Sequence, residues 1–114
     1  AIQLNGEDTL YRVQLAWATY GAAKKSTGAQ EEAIQLLKAA IKERENIPEA
    51  YQYLGQIHFD RGDYKQAIRW WKKCLEWEPK NMDASRGLRL ATTRLEKESR
   101  PGIVKLFDKL RGKG

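Results

Sequence analysis

Residues 48–81 read PEAYQYLGQIHFDRGDYKQAIRWWKKCLEWEPKN, and the fold follows from how apolar residues are spaced within them. In the first half Ala50, Tyr51, Leu54, Ile57 and His58 recur at helical intervals, and in the second half Ala67, Ile68, Trp71, Cys74 and Leu75 do the same. Each half is therefore an amphipathic helix. Between them stands Arg61-Gly62-Asp63, where Gly62 suits a left-handed C-cap and Asp63 an N-cap for the next helix. So short a connection makes the pair an antiparallel hairpin. Gly55 and Ala67 carry little side chain where the two helices cross, so the backbones can approach closely. Pro79 ends the second helix, because it lacks an N–H and disfavours helical geometry at the residue before it.

Shifted by 34 residues against itself, the sequence pairs Trp17 with Tyr51, Tyr20 with Leu54, Gly21 with Gly55 and Gly28 with Gly62. It also pairs Ala33 with Ala67, Ile34 with Ile68, Leu37 with Trp71 and Ala40 with Cys74. Large residues meet large and small meet small, which is the mark of a solenoid built from stacked supersecondary units. Residues 48–81 resemble a complete tetratricopeptide repeat (TPR). The family's signature positions fall on Tyr51, Leu54, Gly55, His58, Ala67, Trp71, Cys74 and Pro79, with His58 in a usually aromatic slot and Cys74 in a usual alanine slot. Residues 14–47 resemble a weaker unit, with Lys24 in place of an aromatic and Glu45 in place of proline. After Asn81 only a half-unit follows. There Leu88 and Ala91 are in phase, while Ser85 and Arg89 occupy slots for an aromatic and a small residue, as in the polar helix that closes a TPR array.

The resemblance implies an all-α fold of antiparallel helical hairpins stacked as a short right-handed solenoid. Helices are expected near 8–26, 30–45, 49–61, 64–77 and 82–98. Residues 1–98 form the TPR domain in this reading, with repeats at 14–47 and 48–81 and a capping helix at 82–98. Residues 99–114 form a basic amphipathic tail, in which Ile103, Leu106, Phe107 and Leu110 share one helical face that is expected to pack on the capping helix.

Composition narrows the function. The chain has 114 residues, 41% hydrophobic and 32% charged, which suits one globular domain. Between Arg12 and Lys24 the uncharged run is far shorter than the roughly 20 apolar residues of a membrane span. The first ten residues, AIQLNGEDTL, have neither a basic nor an apolar leader region, and the chain reads as a domain of a larger protein. A single cysteine, Cys74, provides no intramolecular disulfide and no metal-ligand spacing, so a cytoplasmic location is expected. The net charge of +6 is uneven: residues 82–114 hold nine Lys/Arg against four Asp/Glu, while residues 1–47 hold six of each.

Candidate chemistry is sparse. His58 is the sole histidine and is expected to fill the hairpin interior, and Cys74 is expected in a small buried slot. Of four tryptophans, Trp17, Trp71 and Trp77 are expected between helices and Trp70 partly exposed on the outer surface. The sequence lacks a phosphate loop, a zinc spacing and a nucleophile-base set, so no enzyme, no cofactor and no metal are expected.

Successive first helices of TPR units line a concave groove, and the resemblance places a partner-binding surface on Lys25, Glu49, Gln52, Tyr53, Gln56, Phe59, Asp60, Arg86, Leu90 and Arg94. It also draws in Leu15, Ala18, Thr19, Ala22 and Ser26 from the first unit, and Asp83, Gly87 and Thr93 from the cap. The implied function is a scaffold whose groove holds a protein or peptide segment, an apolar side chain against Tyr53, Phe59 and Leu90 and a carboxylate toward Arg86 or Arg94. TPR domains that clamp acidic chaperone tails use Lys, Asn and Arg at the positions held here by Ala18, Ala22, Tyr53, Asp83 and Gly87, and none of these matches. Two other classes rank behind: electrostatic binding of anionic membrane or nucleic acid through the basic C-terminal third, and self-association. Small units of this kind resemble those joined to bacterial chaperone-type and signalling domains.

Overall fold

A computed structural model describes residues 6–23 and 26–99. Five helices follow one another: α1 (Gly6–Ala22), α2 (Thr27–Glu43), α3 (Pro48–Asp60), α4 (Tyr64–Trp77) and α5 (Met82–Ser99), and the described residues include no strand. Sequential helices pack as antiparallel neighbours, α1 also meets α3, and α5 lies across both α3 and α4. This is the all-α helical-repeat fold.

The α3–α4 hairpin owes its tightness to its turn. Gly62 has φ of 80°, the left-handed region that a side chain disfavours. Its N–H donates to the Phe59 carbonyl at 2.9 Å and the Asp63 N–H to the His58 carbonyl at 2.8 Å, the paired bonds of a Schellman cap. Asp63 then accepts from the Gln66 N–H at 3.4 Å and starts α4. Pro48 occupies the first turn of α3, where a missing N–H costs nothing.

The α1–α2 hairpin is closed differently. Ser26 is the N-cap of α2, its Oγ accepting from the Ala29 N–H at 3.2 Å, so the helix starts at Thr27 rather than near residue 30. Gly28 therefore sits inside α2 and does not repeat the role of Gly62. Nor does Gly21 repeat that of Gly55, for a Cβ on Gly21 would meet nothing within 4 Å.

The core has two parts. Val13, Ala16, Tyr20, Ile34, Leu37, Leu54 and Ile57 join the first hairpin to α3. Tyr51, Ala67, Trp71, Cys74, Ala84 and Ala91 join α3 and α4 to α5. Trp70 and Ile41 pack against both parts. His58 and Cys74 are buried as expected. Trp77 is not: it is 49% exposed, whereas Trp70 is half-buried. One helical turn is 3.6 residues, so Trp77, seven after Trp70, lies on the Trp70 stripe and not with Trp71.

Asn81 seats the closing helix. Its Oδ1 accepts from the Ala84 N–H at 2.9 Å, and its Nδ2 donates to Gln52 Oε1 at 2.8 Å and Glu78 Oε1 at 2.7 Å. One amide thus starts α5 and ties it to α3. The amphipathic tail expected at 103–110 lies outside the described residues, as does its packing on α5, where Ala91 is buried and Leu88 and Leu95 are half-buried.

Candidate functional site

Helices α1, α3 and α5 stand side by side and bound an open groove of about 530 Å³. Its floor is Trp71, whose indole enters from α4. The Trp71 Nε1–H donates to the Gln52 carbonyl at 3.2 Å. A Cβ on Gly55 would lie 2.5 Å from that nitrogen, and one on Gly87 2.7 Å from the far edge of the ring. Two glycines, one from α3 and one from α5, therefore admit this indole between the helices.

Aromatic rings form the walls. Tyr53 of α3 stacks on Trp17 of α1 with centroids 4.5 Å apart and planes 4° from parallel, an arrangement whose face-to-face contact adds to the buried area. Phe59 lies 5.7 Å from Trp71, and the Arg94 guanidinium sits 5.2 Å above the Phe59 ring as a cation–π contact. Burial pushes the Tyr53 hydroxyl above its ordinary pKa, and the Glu49 carboxylate adds to the shift, so this ring is neutral at physiological pH.

Polar groups rim the groove. Gln52 Nε2 is 3.5 Å from Asp83 Oδ2, and Gln56 Nε2 donates to Asp60 Oδ1 at 2.9 Å. Asp60 also accepts from the Tyr20 hydroxyl at 2.6 Å, which braces α3 on α1. Arg86 lines the groove and makes no ion pair among the described residues.

Of the ten residues assigned to partner binding, Gln52, Tyr53, Gln56, Phe59, Arg86 and Leu90 line this single groove. Arg94 reaches it through Phe59 and Asp60 through Gln56; Glu49 stands one turn before Tyr53 on α3. Lys25 falls outside the described residues. From the first unit, Leu15 and Thr19 instead line a different hollow with Leu36 and Ala39 of α2, and Ser26 serves as a cap. Trp17, Trp71 and Gly87 shape the groove, although the two indoles were expected in the core alone. The available signal was the pair of glycines, Gly55 and Gly87, each in a helix facing one large ring.

A family model described as "Tetratricopeptide repeat" matches residues 48–81. The chain carries a tetratricopeptide repeat. Over 99 residues, 87% of its length, it is also 29% identical to "Small glutamine-rich tetratricopeptide repeat-containing protein 2" of Mycosarcoma maydis. The chain spans about a quarter, 27%, of that relative's length. TPR units are in general non-enzymatic scaffolds that bind protein partners, and the repeat at residues 48–81 marks a protein-interaction module. Among the described residues no three His, Cys, Asp or Glu are grouped to hold a metal, and no helix is long and apolar enough to cross a membrane.

Proposed function

We propose that the groove between α1, α3 and α5 captures a segment of a partner protein. The segment places an apolar side chain against Tyr53, Phe59 and Leu90 and a carboxylate toward Arg86 or Arg94. The observation that carries this reading is the aromatic-walled groove with Arg86, which has no ion-pair partner among the described residues, at its rim. Stacked rings offer apolar area already fixed in place, so little side-chain entropy is lost on binding. A guanidinium meets a carboxylate through two parallel hydrogen bonds, which adds direction to attraction.

The test is selection of binders from a random peptide library on the immobilised full chain, followed by titration of the enriched sequences. Enrichment of an apolar residue near Asp or Glu, lost in the Tyr53→Ala, Arg86→Ala double variant while circular dichroism stays helical, supports the reading. Peptides that bind this double variant as tightly as the native chain overturn it.

A further inference from the structure

A further cavity, apart from the groove and from the hollow beside Leu15 and Leu36, lies where α2 and α4 part. No Cα of α2 is within 8 Å of one in α4, whereas α3 contacts both helices. The remaining cleft encloses about 370 Å³ and shares no lining residue with the α1–α3–α5 groove. The two can therefore be tested separately.

Three aromatic side chains bound the cleft: Tyr51 from α3, and Trp70 and Trp77 from α4, with Ile41 of α2 beside them. Tyr51 and Trp70 are tilted at 31° with centroids 6.1 Å apart, and Trp77 turns half its surface to solvent. Two carboxylates complete the rim, Glu45 after α2 and Glu76 on α4. Neither has an ion-pair partner among the described residues. Both act on the Tyr51 hydroxyl, which donates to the Glu45 carbonyl at 2.8 Å. Burial first, then these two negative charges, raise its pKa against the opposing pull of the Trp77 indole N–H.

The chemistry of this cleft selects a cation. Ring faces carry negative potential and attract a positive group within about 6 Å, and the two carboxylates add charge of the same sign. An anion would be repelled, and an apolar side chain would strip water from the carboxylates without replacing it. A guanidinium fits better than an ammonium: it is flat enough to stack on an indole, is more weakly hydrated, and has five N–H donors in a fixed fork. Lys73 on the same rim has the opposite sign and acts against the cation.

We propose that the α2–α4 cleft is a docking pocket for an arginine side chain of a partner protein. The guanidinium stacks against Trp77 and donates to Glu45 and Glu76. This site is separate from the peptide groove and does not depend on it.

The probe is N-acetyl-arginine-methylamide, titrated into the 15N-labelled full chain while the four indole N–H resonances are followed. Trp→Phe variants assign those resonances. Saturable shifts are expected at Trp70 and Trp77. The uncharged citrulline analogue should produce none. Glu45→Gln with Glu76→Gln should weaken the arginine probe by about tenfold or more, and Lys73→Met should tighten it. Three results overturn the proposal: equal shifts from the citrulline analogue, unchanged affinity in the double Gln variant, or a lysine analogue that binds as tightly as arginine. The citrulline arm uses the native chain, so it decides even if a variant folds poorly.

Discussion

A Cβ on Gly87 would stand 2.7 Å from the ring of Trp71, closer than side chains pack, so α5 can lie where it does only with glycine at that position. Gly87→Ala is therefore expected to push α5 away and destabilise the chain by about 1–3 kcal/mol, despite the roughly 1 kcal/mol that alanine gains in an open helix position. Gly55→Leu, 2.5 Å from the same indole at its Cβ, is expected to prevent folding. Gly21→Ala is the control: with nothing near its Cβ, it should stabilise by about 0.5–1 kcal/mol. Urea unfolding followed by circular dichroism separates the signs. Equal effects of the Gly21 and Gly87 changes would show that Trp71 does not set the helix spacing.

Tyr20 is fully buried, and its hydroxyl donates to Asp60 across 40 positions of sequence. Burial, with the Asp60 hydrogen bond and charge added, holds this hydroxyl protonated far above its usual range. Tyr20→Phe keeps the ring and removes the donor, at an expected cost of about 1.5–3 kcal/mol for a bond to a carboxylate. Hydrogen exchange should speed up in α1 and α2 more than in α4. Uniform acceleration across all five helices would mean that the bond does not act as a joint between the units.

His58 makes stability depend on pH. It is 8% exposed, both ring nitrogens are buried without a hydrogen bond among the described residues, and Nδ1 is 3.7 Å from Asp63 Oδ2. Desolvation lowers its pKa below the ordinary value, outweighing the upward pull of Asp63. As pH falls below about 6.5, the unfolded chain takes up the proton before the folded one, so stability falls with pH until the folded pKa is passed. His58→Phe is expected to stabilise by on the order of 1 kcal/mol, since orphaned polar atoms leave the core. It should also flatten the loss of stability between pH 7 and 5, as measured by urea midpoints. A native-like slope in the variant would assign the pH effect to other groups.

Cys74 is fully buried, and burial, with Glu78 and Glu49 adding to it, pushes its thiol up to about 12. Reaction with a disulfide reagent at pH 8 should therefore require opening of the α4–α5 interface, because the thiolate is the reactive form. Labelling is expected to be slow in buffer and to accelerate with urea in step with unfolding. Fast labelling of the native chain would show that α5 separates readily from α4.

Much of the fold was legible in the sequence because it is written in local terms: helical spacing, Gly62 for the left-handed cap and Pro79 for a stop. All five helices lie within a few residues of their expected places, and the shift in α2 came from the cap signal of Ser26. Six of the proposed groove residues were found together because they recur on the first helices of successive units. The groove role of Trp71 was harder, since the sequence shows the indole and Gly87, already expected on the groove surface, as separate spacing facts and only three dimensions bring the ring against the glycine. Trp77 was misassigned by its resemblance to a packed slot, although its seven-residue distance from Trp70 already placed it on that residue's stripe and off the buried Trp71 face. Asn81 carried no signal of its bond to Gln52, because that contact depends on how two units sit together.

The Trp17–Tyr53 stack joins residues from α1 and α3, so the groove wall is also a joint between the first hairpin and the second. Whatever wedges against that wall presses on the angle between the hairpins, and a change in that angle widens or narrows the wall in turn. If the groove holds a segment as proposed, curvature and occupancy would be mechanically linked: a bound segment would stiffen the array, and a force that bends the array would alter its grip.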